Sequence, residues 1–275
     1  MKLAAFEYHR PESLEAALEL LAQHGDEAKV LAGGQSLIPL MAMRLARPAH
    51  LIDLARVPGL ATVSDDGDHF HIGAMATHRA IERDPRMPRL VAAAVPHIGH
   101  FQIRNRGTVG GSLSHMDPAA EWPALALVLD AQLVAASARG RRTVAASDFI
   151  VGPLMTSLEP DELLVEVVLP KRGADFGFAE IERRSGDFAL AGAACQGGAI
   201  AVFGTGAKPQ RLTGVEQYLR DSGNVGAELV ALAESEIEAT GDIHASASYR
   251  RAVAAALVRR VVSQRSAQSG ASAWN

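Results

Sequence analysis

Apolar residues recur at helical spacing at Leu14, Ala17, Leu18 and Leu21, with Pro11 or Ser13 at the start and Gly25 as a stop, which predicts a first helix. Lys29-Val30-Leu31 reads as a short strand that runs into Ala32-Gly33-Gly34-Gln35-Ser36. Leu37 to Ala46 reads as a helix closed by Pro48, and His50-Leu51-Ile52-Asp53-Leu54 as a second strand. The first fifty-odd residues are therefore expected to form a small β-α-β-like unit with a glycine pair at one turn.

Strands and helices mix between residues 60 and 170. His69 to Gly73 alternates as a strand, and Thr77 is placed to cap a short helix ending near Asp84-Pro85. Met87 to His100 is Ala-rich and helical in pattern, disturbed at Pro96. Pro123 to Leu129 reads as a helix, while Gln132 to Ala136, Thr143 to Ala145 and Leu163 to Leu169 read as strands. Pro170-Lys171-Arg172-Gly173 is the clearest domain boundary. Beyond it, Phe176 to Arg183 and Leu190 to Phe203 are strands around a turn at Ser185-Gly186-Asp187. Two helices follow, roughly Val225 to Ala239 and Tyr249 to Ser263. The second carries Val253, Leu257 and Val261 on one stripe, flanked by Arg250, Arg251, Arg259 and Arg260, which read as a solvated face. The Ser/Ala/Gly-rich tail from Ser266 to Asn275 is expected to fray.

A length of 275 residues favours two domains over one core. With 48% apolar and 21% charged residues, dominant disorder is excluded. The net charge of −4 provides no global basic field for nucleic acid or an acidic membrane. The single cysteine, Cys195, excludes an intrachain disulfide and a Cys-only metal or iron–sulfur site, and reads as a small buried hydrophobe in a Gly/Ala-rich strand. No apolar run approaches the roughly 18 residues of a spanning helix, and the N-terminal segment meets charge too soon for a secretory signal. The default reading is a cytoplasmic protein.

Two segments carry candidate chemistry: Ala32-Gly33-Gly34-Gln35-Ser36 and Thr108-Val109-Gly110-Gly111-Ser112. Each is a small-residue turn with adjacent glycines and a hydroxyl residue. Glycine lets backbone N–H groups converge at close range, and such a nest binds anions. Ser36, Thr108 and Ser112 add hydroxyl donors. Either loop alone is consistent with a plain turn; a pair of them suits the two phosphates of a diphosphate. Neither matches G-x-G-x-x-G or G-x-x-x-x-G-K-[ST], so neither a Rossmann dinucleotide site nor a P-loop is indicated.

The run from Lys29 to Met41 (KVLAGGQSLIPLM), then Arg44-Leu45 and His50 to Leu54, resembles the FAD-binding medium subunits of molybdenum hydroxylases. That group includes the flavoprotein subunit of carbon monoxide dehydrogenase and the flavin domain of xanthine dehydrogenase. Arg104 to Ser112, continuing through His115-Met116-Asp117-Pro118-Ala119-Ala120-Glu121, resembles the family's second flavin loop, and Arg183 to Ala191 its C-terminal signature. The resemblance spans essentially the whole chain. It implies an α+β fold: a two-lobed PCMH-type FAD-binding domain over residues 1–172 (sublobes about 1–56 and 57–172), then a smaller domain of antiparallel strands and helices over 173–275.

By the same resemblance, Ala32, Gly33, Gly34, Gln35 and Ser36 together with Thr108, Val109, Gly110, Gly111 and Ser112 would hold the FAD pyrophosphate. Glu121 stands where the family usually has a cofactor-contacting aspartate. Leu164 matches a position beside the flavin, and Glu180 falls where a lysine is frequent near the ring. Gln35 replaces a common histidine and Ser112 a common asparagine. The resemblance assigns no catalytic acid or base and no metal to this chain. It implies an iron–sulfur small subunit and a molybdenum-binding large subunit as partners, with electrons leaving FAD to an acceptor such as NAD or a quinone. A non-catalytic nucleotide-binding module and a stand-alone flavin oxidase are the alternative readings.

Other groupings are weaker. Ser112, Ser114, His115 and Asp117 hold the ingredients of a hydrolytic triad without a G-x-S-x-G elbow. His97 with His100, and His69 with His71, offer only two metal ligands each, where zinc usually takes three or more from protein. Arg104 and Arg106, beside the second loop, are candidates for phosphate or for acidic groups on a partner.

Overall fold

The structure is a computed structural model that describes residues 2–171, 173 and 175–271, with side chains through Arg265. Three sheets are each backed by helices. In the N-terminal sublobe, strands β1 (Glu7–His9), β2 (Ala28–Leu31) and β3 (His50–Asp53) pair in parallel in the order β1-β3-β2. Helix α1 (Leu14–His24) starts at Ser13, whose hydroxyl accepts from the Ala16 N–H, and packs Ala17, Leu18 and Leu21 against Ile52. Helix α2 (Leu37–Ala42) is shorter than its apolar pattern predicts. The chain leaves it through Arg44, whose φ of 64° breaks the helical path. β1 escaped the sequence reading because Glu7-Tyr8-His9 is short and has no buried member.

The second sublobe holds the antiparallel sheet of β4 (Val63–Asp65), β5 (His69–Gly73), β6 (Gln132–Ser137), β7 (Gly140–Ala145) and, later in the chain, β10 (Leu163–Pro170), in the order β4-β5-β10-β6-β7. A small hairpin, β8 (Ile150–Gly152) and β9 (Met155–Thr156), precedes β10. The helices of this sublobe are α3 (His78–Arg83), α4 (Arg89–Ala94), α5 (Phe101–Arg104), α6 (Val109–His115), α7 (Glu121–Val128) and α8 (Ala146–Phe149). The Met87–His100 segment is therefore not one helix: it becomes a single turn at Val95–His97 beyond α4, where Pro96 provides no N–H. The second glycine segment is not a turn either. Thr108 caps α6, and its hydroxyl accepts from the Gly111 N–H at 3.0 Å. The largest core lies between this sheet and its helices, around Trp122, Phe149, Leu90, Leu113 and Leu125.

Strands β11 (Phe176–Glu182), β12 (Ala189–Gln196), β13 (Ala199–Phe203) and β14 (Gln210–Arg211) follow as an antiparallel sheet in chain order. The predicted Leu190–Phe203 strand is two, reversed at Gly197 and Gly198, which take φ values of 58° and 91°. Helices α9 (Thr213–Ser222), α10 (Ala227–Glu236) and α11 (Ala247–Ala271) cover one face around Ala193, Val202, Leu229 and Val258. The other face contributes Ala194, Ala199 and Ala201 to the core of the second sublobe. Helix α9 has no counterpart in the sequence reading.

Cys195 is buried in β12 as read; its thiol donates to the Val261 carbonyl, and burial pushes its pKa up to about 12. Arg250 departs from the solvated face assigned to it. Only 6% exposed, it donates to the carbonyls of Leu190 and Gly204 and to Asp242, tying α11 to the sheet. The predicted frayed tail is helical through Ala271 in backbone, and residues 272–275 lie outside those described. Among the described residues no helix is long and apolar enough to cross a membrane.

Candidate flavin site

The loop after β2 and the approach to α6 lie against each other. Gly33 is buried with its backbone on the Arg106 carbonyl, so closely that a Cβ there would stand 2.8 Å from Gly107 Cα. Ala32 faces Gly111, where an added Cβ would sit 3.5 Å from its methyl group. Gly34 holds φ at 73°, and the Gln35 side-chain amide donates to the Gly33 carbonyl at 2.9 Å, so both shape the first loop. No backbone N–H from Ala32 to Ser36 donates to another protein group among the described residues, and the Ser36 hydroxyl caps nothing. Of this loop, Gly33, Gly34 and Gln35 line a cleft of about 550 Å³, together with Tyr8, Leu31, Asp53 and Arg106.

The second loop is chemically different. Its N–H groups are committed: Val109 donates to Ala76, Gly110 to Ala74, Gly111 to the Thr108 hydroxyl and Ser112 to the Thr108 carbonyl. Gly110 is required by packing, because a Cβ would stand 2.8 Å from both Cα and O of Ala74. The expectation of two equivalent N–H nests is thus replaced by one open nest, Ala32 to Ser36, seated on a rigid support. His78 stiffens that support from below. It is buried against Gly107 and accepts from the Trp122 indole N–H at 3.1 Å. Burial, aided by the Arg104 charge, lowers its pKa to about 4, so the imidazole is neutral and free to accept.

The two arginines separate. Arg104 is spent on Glu82 and on the carbonyls of Ile98 and Gly99, whereas Arg106 lines the cleft and makes no ion pair among the described residues. The uncommitted N–H groups and the Arg106 guanidinium form a cationic donor set, with the Ser36 hydroxyl beside it and the Asp53 carboxylate also lining the cleft. That set fits the pyrophosphate of FAD.

A second group of residues collects beyond α6. Glu121, at the start of α7, is 4% exposed, and burial with the nearby charges of Glu180, Asp117 and Glu182 pushes its pKa up to about 8. Near neutral pH it is mainly a protonated carboxyl, able to donate as well as accept. Glu180 points inward from β11 with its side chain 1% exposed, and its carboxylate lies 3.3 Å from His97 Nδ1. No other donor reaches either oxygen among the described residues. That pairing raises the His97 pKa above the ordinary histidine value. In sequence His97 stands out only as a possible metal ligand with His100; in the fold it faces Glu180, 83 residues away in the chain. Leu164 is fully inside the main core and is not among the residues lining the cleft.

Residues 4–172 match the FAD binding domain in molybdopterin dehydrogenase, and residues 176–265 the CO dehydrogenase flavoprotein C-terminal domain. The nicotine 6-hydroxylase medium subunit of Paenarthrobacter nicotinovorans is 42% identical over 284 residues, spanning 98% of this chain and 100% of that protein. The carbon monoxide dehydrogenase medium chain of Hydrogenophaga pseudoflava is 36% identical over 94% of this chain and 96% of its own length. A solved structure of carbon monoxide dehydrogenase from the same organism superposes with a TM-score of 0.90 at 36% identity, covering 97% of this chain and 99% of that one. Quinoline 2-oxidoreductase from Pseudomonas putida 86 gives a TM-score of 0.90 at 36% identity, covering 98% and 99%. The chain belongs to the family of FAD-binding medium subunits of molybdenum hydroxylases, and the α+β fold implied by the resemblance is the one observed.

Proposed function

We propose that the chain is the flavin-bearing subunit of a multi-subunit molybdenum-dependent dehydrogenase or hydroxylase, passing electrons from iron–sulfur clusters through FAD to an external acceptor such as NAD or a quinone. The observation that supports this most directly is the open N–H nest of Ala32 to Ser36 beside Arg106, in a chain that matches a nicotine 6-hydroxylase medium subunit over the whole of its length. Residues 1–172 would form the FAD-binding unit, with sublobes about 1–56 and 57–172, and residues 173–275 the smaller domain against it. The cytoplasm is the compartment we assign.

FAD supplies one- and two-electron redox chemistry when bound; the chain supplies grip and electrostatics. Ala32 to Ser36 and Arg106 would hold the phosphates. Thr108, Val109, Gly110, Gly111 and Ser112 would act mainly by fixing the first loop from behind. Glu121 would hold a proton within reach of hydrogen-bonding groups, and the His97–Glu180 pair would keep charge balanced nearby. Leu164 would contribute through the packing of β10. With one buried cysteine, the chain has no thiolates to ligate iron–sulfur clusters, so these and the molybdenum cofactor would reside on a small and a large partner subunit.

The purified chain should contain FAD that dithionite reduces and that an organic substrate reduces only once the partner subunits are added. A colourless protein that binds ADP and rejects FAD would support a nucleotide-binding module instead. Steady substrate turnover by the chain alone would make it a flavin oxidase.

A further inference from the structure

We infer that His9, His24 and His50, completed by Glu7, form a binding site for one divalent transition-metal ion of the zinc class. Three separate elements deliver these imidazoles: β1 carries His9, the last residue of α1 is His24, and β3 opens with His50. One ring nitrogen from each lies within 4.8 Å of the others. His9 Nε2 and His50 Nδ1 are 3.0 Å apart, and the His24 and His50 rings stack face to face with centroids 3.6 Å apart. Glu7 pairs with His50 across the β1–β3 register. Its carboxylate oxygens stand 3.6 Å from His50 Nδ1 and 3.9 Å from His9 Nε2.

These separations suit a shared metal. Zinc–nitrogen bonds of about 2.0–2.1 Å in a tetrahedron put neighbouring ligand atoms about 3.3 Å apart. The His9–His50 and Glu7–His50 distances bracket that value. The side chains of His9 and His50 are 16% exposed, which holds their rings in place, while the Glu7 carboxylate is 67% exposed and free to close on an ion. Three imidazoles and one carboxylate are ligands for zinc, and also for nickel and copper, rather than for calcium or magnesium.

Strand alternation assigns the site a face. Glu7, His9, His50 and Ile52 point toward α1, whereas Tyr8, Leu51 and Asp53 point the other way, and Tyr8 and Asp53 line the cleft. An ion here would clamp β1, an outer strand, and the end of α1 onto the central strand β3. It would thereby stiffen the wall behind the cleft without entering it. The inference stands independently of what the cleft binds.

The test is a titration of zinc chloride into the metal-stripped full-length chain, with His24→Ala, His50→Ala and Glu7→Gln in parallel. The parent should take up one zinc per chain with micromolar or tighter affinity. Each histidine variant should bind about 100-fold more weakly and Glu7→Gln about tenfold more weakly. Cobalt(II) in the parent should give the intense visible bands of four-coordinate tetrahedral geometry, and zinc should raise the parent's thermal midpoint more than that of any variant. Should His50→Ala fail to fold, His24→Ala at the surface end of α1 decides the matter together with the cobalt spectrum. Absence of stoichiometric binding, a pale six-coordinate cobalt spectrum, or parent-like affinity in the histidine variants would overturn the assignment.

Discussion

Gly33 presses its backbone onto the carbonyl of Arg106, and no side chain fits between them. The first loop is positioned by the second through this contact, so a Cβ acts on the protein before it acts on any ligand. Gly33→Ala should cost about 1–3 kcal/mol by overpacking. It should lower the thermal midpoint of the flavin-free chain as well as its FAD content. A parent-like midpoint with full flavin occupancy would show that the loops are not in close contact.

Ser36 and Arg106 give a cleaner test, because among the described residues the Ser36 hydroxyl caps nothing and Arg106 makes no ion pair. Ser36→Ala should weaken FAD binding by about 0.5–1.5 kcal/mol, the range for one neutral hydrogen bond. Arg106→Gln should cost about 1–3 kcal/mol at low salt and less as salt screens the phosphate contact. Isothermal titration of the flavin-free variants measures both, and their midpoints without FAD should match the parent. Unchanged affinity in both would remove the nest from the site.

Glu121 should give the flavin-free chain a characteristic pH dependence. Its folded pKa of about 8 stands above the ordinary 4.5, so its ionised form is penalised in the native state. The favourable state is complete below pH 4.5 and is lost progressively as pH rises toward 8. Glu121→Gln should therefore have near-parent stability at pH 4.5 and exceed the parent by on the order of 4 kcal/mol at pH 8. Urea unfolding at several pH values checks it; parallel curves for the two proteins would contradict the buried, protonated carboxyl.

His97 should titrate above an ordinary histidine because Glu180 faces it at 3.3 Å. Glu180→Gln should bring that titration down, visible by proton NMR of the imidazole. Conversely, His97→Phe leaves the Glu180 side chain buried without the imidazole that faces it. Because His97 is itself 43% exposed, the cost should be about 1–3 kcal/mol, below that of a fully enclosed pair. An unchanged His97 titration in Glu180→Gln would dissolve the pair.

Trp122→Phe should destabilise the chain by about 1–3 kcal/mol, since it leaves His78 Nδ1 buried without its donor. Flavin release should accelerate with it, because His78 underlies Gly107 and hence the Gly33 contact. Chemical unfolding and flavin dissociation kinetics check the two effects separately.

The chain's local patterns determined much of this by themselves. Periodic apolar positions marked α1, β10 and α11, because burial on one side imposes its period on the sequence. The glycine pairs marked both loops, since only glycine permits Gly34 its φ of 73° or Gly33 its contact with Arg106. What separates the loops was not written locally. Whether an N–H is free or committed depends on which carbonyl the fold brings to it, as Ala74 is brought to Gly110. The neutral state of Glu121 depends on Glu180, 59 residues away, and on loss of water, neither of which a residue type encodes. The histidines at 9, 24 and 50 carry no spacing that suggests a cluster; parallel pairing of β1 with β3, and the length of α1, bring them together. Composition and periodicity act through neighbours in sequence, whereas hydrogen-bond satisfaction, desolvation and ligand geometry act through neighbours in space.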